Sequence, residues 1–145
     1  MNHIVFFIAY VYFLYKDMTM KKIDVRAIAV YALVALLTVV ITKDTMTMSR
    51  FVDMLFSIAF GLIIYMLSYF SGGGLGLADG MYFVINGLLL TLRENIILFL
   101  TGLLVAFIFA LCLYIFCKEK SKWDLKMPFM PCFLPVIIGY FLCTV

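Results

Sequence analysis

Six runs of apolar residues, joined by short polar stretches, take up nearly the whole chain: about 4–20, 27–42, 51–70, 77–92, 95–117 and 127–145. A helix rises about 1.5 Å per residue and the hydrocarbon core of a bilayer is about 30 Å thick, so runs of this size read as transmembrane helices. Little remains for a soluble domain. Composition points the same way: 67% of the 145 residues are hydrophobic, 13% are charged and the mean hydropathy is +1.18. Soluble domains run at about 45–50% apolar and 25% charged. The expected fold is therefore an all-α membrane protein with six transmembrane helices in one domain, residues 1–145. The second and fourth runs are short for a full span, which predicts helices in locally thinned bilayer or helices leaning on their neighbours. Met1-Asn2-His3 leads into the first run without a basic segment or a small-residue cleavage site, so that run is expected to be a retained helix.

The charges orient these helices, because Lys and Arg in short loops favour the cytoplasmic side. Lys16, Lys21, Lys22 and Arg26 flank the first joint, and Lys118, Lys120, Lys122 and Lys126 fill the fifth. The opposite face receives only Lys43, Arg50 and Arg93. Odd-numbered joints are thus expected in the cytoplasm and both termini outside. A net charge of +3 spread in this way reports orientation and gives no reason to expect a nucleic-acid partner.

Metal and nucleophile chemistry have little to work with. Cys112, Cys117, Cys132 and Cys143 lie in or beside apolar runs without a C-x-x-C pair, and the single histidine, His3, is far from them. That spacing supports neither a zinc site nor a disulfide framework, and buried cysteine is most simply a small hydrophobe. No metal and no cofactor are expected.

The acids are more informative. Asp24, Glu119 and Asp124 fall in cytoplasmic joints, and Asp44, Asp53 and Glu94 at the outer face. Asp17 lies near the cytoplasmic end of the first helix, about one turn inside the boundary if that helix runs through Met20. Asp79 follows Ser71-Gly72-Gly73-Gly74-Leu75-Gly76-Leu77-Ala78 and precedes an apolar run with no charge until Arg93. An ionisable residue there costs at least about 2.5–3.5 kcal/mol on insertion scales, which marks it as a candidate functional site. Both aspartates belong to one leaflet, where the folded bundle can bring them together.

Two adjacent carboxylates do not readily both ionise. The ionised one serves as general base on a water, and the protonated one donates to a carbonyl oxygen. Irregular backbone at membrane depth is tolerated where protein or a water-filled cavity satisfies it. Gly72, Gly73, Gly74 and Gly76, with the small Ala78, form the stretch least suited to regular helix, and read as a mobile, water-lined gate through which a substrate backbone approaches Asp79. The plainer readings stand beside these: a solvated helix-end acid at Asp17, an N-cap or structural ion pair at Asp79, and a flexible turn at the glycines.

These residues resemble the type IV prepilin and preflagellin peptidases, membrane aspartyl proteases with a Gly-x-Gly-Asp motif. Gly74-Leu75-Gly76-Leu77-Ala78-Asp79 is similar to that motif, and Asp17 through Ile23 to the first aspartate and the basic stretch after it. Pro128-Phe129-Met130-Pro131 resembles the Pro-Phe-x-Pro at the start of the last helix, although prolines open helices in any protein. Ala78 stands in place of the glycine before the second aspartate, Gly80-Met81 in place of valine and lysine, and Asp24 in place of a proline. The resemblance implies Asp17 and Asp79 as catalytic residues, with Pro128, Phe129 and Pro131 in support. It also implies a short form without the zinc-binding methylation domain, from which cleavage is expected and methylation is not. The implied substrate is a prepilin-like or preflagellin-like precursor with a basic leader ending in glycine; the other expected partner is membrane lipid. Two readings from other classes remain: a proton-coupled transporter using the glycine break as a discontinuous helix, and a non-catalytic scaffold packed through Gly and Ala surfaces.

Overall fold

A computed structural model describes residues 2–20, 25–42, 47–70, 76–116, 130–135 and 137–139. Every regular element among them is helical: α1 (Asn2–Met20), α2 (Val25–Ile41), α3 (Met48–Phe70), α4 (Leu77–Leu89), α5 (Leu92–Phe116) and a 3-10 turn, Met130–Phe133. Two stretches, Met48–Phe70 and Leu92–Cys112, are long and apolar enough to cross a membrane, and most of each faces outward. The outward faces carry large apolar side chains, among them Phe51, Phe56, Phe107 and Ile108.

The short fourth helix is central. Its 13 residues are about 20 Å long, and Gly80, Tyr82, Phe83, Ile85, Asn86, Gly87 and Leu89 are all buried. It has α1, α2, α3 and α5 as neighbours. A helix enclosed in this way need not match a bilayer by its own length, because other helices supply its surroundings. Of the two outcomes expected for the short runs, α4 takes the one in which it leans on its neighbours.

Close approach of α3 and α4 depends on missing side chains. A Cβ on Gly61 would lie 2.6 Å from the Phe83 carbonyl oxygen and from the Val84 backbone. One on Gly87 would lie 2.7 Å from the Ile58 backbone nitrogen, and one on Gly80 2.8 Å from the Tyr65 Cα. Ser57, Gly61, Ile64 and Ser68 form the buried stripe of α3, a small-residue seam of the kind that lets helices pack backbone to backbone. Asn95 of α5 clamps this seam: its Nδ2 donates to Ser57 Oγ at 3.1 Å and to the Phe83 carbonyl at 3.2 Å.

On the other side of α4, α1 and α2 contribute rings. Phe13 meets Tyr31 and Tyr82 edge-on at 5.5 and 5.6 Å between centroids, and Tyr31 stacks on Tyr82 at 5.7 Å. Such pairs add about 0.5–1.5 kcal/mol each beyond the area they bury. The Tyr31 hydroxyl also donates to Asn86 Oδ1 at 2.7 Å, which fixes α2 against α4.

Helix ends differ from expectation at one joint. The sequence pattern predicts the fourth and fifth helices over 77–92 and 95–117; the structure ends α4 at Leu89 and begins α5 at Leu92. Thr91 and Glu94 form a capping box, in which the Glu94 N–H donates to Thr91 Oγ1 at 3.3 Å and the Thr91 N–H donates to Glu94 Oε2 at 2.8 Å. Asp53 accepts the Leu92 N–H at 3.4 Å. Together they start α5 three residues earlier than its apolar run. The segment expected as a sixth helix over 127–145 opens, where it is described, as a 3-10 turn followed by short helical stretches.

Candidate functional site

Phe6, Tyr10, Phe13 and Asp17 recur at spacings of four, three and four on α1, so one stripe of that helix faces the core, and all four are buried. Asp17 is the polar end of that stripe. Helix α1 continues to Met20, so Asp17 sits about one turn inside its end, only 8% exposed. Thr19, in contrast, turns its hydroxyl back onto the Tyr15 carbonyl on an exposed face.

Asp79 is placed by the start of α4. Gly76 is the N-cap, in an extended conformation (φ −65°, ψ 131°), and no side chain caps the helix from that position. The chain turns from Gly76 into the helix with its carbonyl accepting from the Asp79 N–H at 3.0 Å and the Gly80 N–H at 3.2 Å. The Asp79 carboxylate folds back to the Gly76 backbone amide, the reciprocal half of a capping box. Gly76 is therefore required for close approach and not for its backbone angles: a Cβ there would lie 2.8 Å from Asp79 Oδ2. Ala78 turns the other way and packs against the hydrophobic core, while Gly76 is exposed.

The two aspartates occupy the same end of the bundle, and the charge of Asp17 acts on Asp79. It also acts on Cys132 in the C-terminal turn, which lies near Tyr10 of α1 as well. Phe133 anchors that turn. Its ring lies directly over Gly102 of α5, where no Cβ fits, and meets Phe83 edge-on at 5.6 Å. With Phe133 docked, buried Cys132 faces the Asp17 end of α1. Pro131, half-buried, is the second residue of the same turn. Cys132 thus stands near Asp17, a place that cysteine spacing did not reveal; the available signal was its position directly after Pro131.

Gly72, Gly73, Gly74, Pro128 and Phe129 lie outside the described residues, as do Lys21, Lys22 and the Lys118 to Lys126 cluster. Among the described residues no three His, Cys, Asp or Glu side chains gather as they would around a metal ion. No protein-family model, curated protein or solved structure matches the chain.

What this end of the molecule offers chemically is two carboxyl groups on different helices, held in a low-dielectric setting and close enough to influence each other. One sits on a rigid aromatic stripe. The other sits at a helix start whose glycine leaves the carboxylate open on its exposed side.

Proposed function

We propose that this chain is an intramembrane aspartyl endopeptidase of the prepilin peptidase type. In this reading it spans the cytoplasmic membrane of a prokaryote six times with both termini outside. It cleaves prepilin-like or preflagellin-like precursors where their apolar helix meets the cytoplasmic surface. The observation that carries this reading is the pairing of Asp17 and Asp79 at one end of the bundle, each held by a different helix.

With one proton shared between them, the ionised carboxylate removes a proton from water as the water oxygen attacks the scissile carbonyl carbon, and the protonated carboxyl donates to the carbonyl oxygen. Collapse of the tetrahedral intermediate breaks the C–N bond, with the proton taken from water passing to the departing amine and the proton on the former carbonyl oxygen returning to the carboxylate that donated it. The exposed Gly76 leaves an extended substrate strand room beside Asp79.

The test is cleavage of a purified prepilin-like precursor in detergent or vesicles. Wild-type protein is expected to cleave once, after the glycine of the leader, and Asp17→Asn and Asp79→Asn to leave the precursor intact. Failure of the wild type on every such precursor overturns the proposal.

Two observations favour a second reading, a non-catalytic scaffold. The Asp79 contact with the Gly76 amide and the glycine seam between α3 and α4 are both structural uses of residues in this region. A scaffold has no need of Asp17, so the same pair of variants separates the two.

A further inference from the structure

Helices α1 and α2 part along their outward side and leave a groove of about 560 Å³ between them. Its walls are apolar, with Ile8, Tyr12, Ala27, Val30 and Val34 among them, and one cation, Arg26, stands at its end. Arg26 is the second residue of α2, so the groove closes where the first-turn amides of that helix have no intrahelical partner. Helix starts of this kind, with a guanidinium beside them, favour phosphate.

The length of the groove separates its possible occupants. From Arg26 to Val34 is eight residues of helix, about 12 Å. One leaflet of hydrocarbon is half of about 30 Å, or about 15 Å. A partner helix crossing the whole membrane would need twice that length of wall, whereas one acyl chain with its headgroup at Arg26 fits the leaflet.

We infer that this groove binds an anionic phospholipid from the leaflet that holds Asp17 and Asp79, with one acyl chain between α1 and α2 and its phosphate at Arg26 and the start of α2. The site depends on membrane insertion and not on peptidase activity.

The test uses the full chain, purified in micelles doped with equal amounts of phosphatidylglycerol and phosphatidylcholine and weighed intact by native mass spectrometry. Wild-type protein is expected to retain one phosphatidylglycerol with about fivefold preference, the worth of one basic side chain at an anionic surface. Arg26→Gln is expected to erase the preference. Val30→Trp, which fills the groove, is expected to lower retention of both lipids, and Val40→Trp to change nothing. Val30 and Val40 are 63% and 61% exposed, so both tryptophans face outward and neither disturbs the core. Equal retention of the two lipids by the wild type, or identical behaviour of Val30→Trp and Val40→Trp, overturns the site. So does a dimer that Val30→Trp converts to monomer with lipid retention unchanged, since a second copy would then fill the groove. Extraction of the protein from membranes by alkaline carbonate would overturn the membrane reading itself.

Discussion

The two ends of the bundle use acidic residues in opposite ways. At the end that carries His3, Asp53 and Glu94 line a recess of about 560 Å³ together with Arg50 and Thr91, and both acids bond backbone amides at the start of α5. Their role is visible in those bonds: they supply acceptors to N–H groups that a helix start leaves without partners. At the other end, Asp79 also reaches back to a backbone amide, but it does so within the influence of a second, buried carboxyl group. A lone capping acid gains from being ionised. A capping acid placed beside another carboxylate is opposed by it, and an arrangement that raises its own electrostatic cost points to a use beyond holding the helix.

Substitutions at the two ends should therefore separate activity from stability. The largest effect is expected at the paired end, where Asp17→Asn and Asp79→Asn should each lower precursor cleavage by at least about 10²–10⁴-fold, the worth of a general acid or base. Asp53→Asn should cleave as wild type does, and a cleavage loss at Asp53 equal to that at Asp79 would erase the distinction between the ends.

Next in size is Gly76→Ala. The new methyl group would meet Asp79 Oδ2 at 2.8 Å, and the carboxylate, the free end of a side chain, can swing away. Displacement of a reacting group by about 1 Å costs up to about 100-fold in rate. Cleavage should fall by about 10- to 100-fold with the thermal midpoint in detergent nearly unchanged. A variant that keeps full turnover would show that the position of Asp79 does not matter.

Gly61→Ala and Gly87→Ala should do the reverse. Their added methyl groups would meet backbone of the facing helix at 2.6–2.8 Å, which cannot rotate out of the way. Overpacking of this kind costs about 1–3 kcal/mol, read as a lower unfolding midpoint, with cleavage retained by the fraction that stays folded. The smallest effect is expected at the outer end, where Thr91→Ala removes one half of a capping box and should cost about 1 kcal/mol of stability without touching cleavage.

Much of the helical layout is legible from apolar runs alone, because long apolar runs carry few polar side chains to partner their backbone groups and satisfy them within helices. The α4–α5 joint was misplaced because Thr91 and Glu94 act through hydrogen bonds while Leu90 and Leu92 continue the apolar pattern. Which face of each helix turns inward was not legible either. In a soluble helix the apolar stripe marks the core, but here the outward-facing residues are as apolar as the buried ones. The inward stripes are set by size and polarity instead: Ser57, Gly61 and Ser68 on α3, and Tyr10, Phe13 and Asp17 on α1. Asp17 and Asp79 stood out in the sequence as charges in expensive places, a signal that survives the loss of the apolar stripe. Cys132 did not, because its place beside Asp17 comes from the docking of Phe133 over Gly102, a tertiary contact with no local pattern.

Whether the two aspartates behave as a pair is measured most directly by infrared titration of their carboxyl bands in lipid, with wild-type protein compared against Asp17→Asn and Asp79→Asn. Coupled carboxyls titrate in two macroscopic steps that belong to the pair. The prediction is that either substitution collapses these to one step at a pH different from both. If the Asp79 band of Asp17→Asn titrates as it does in the wild type, the two groups act independently and the dyad is refuted.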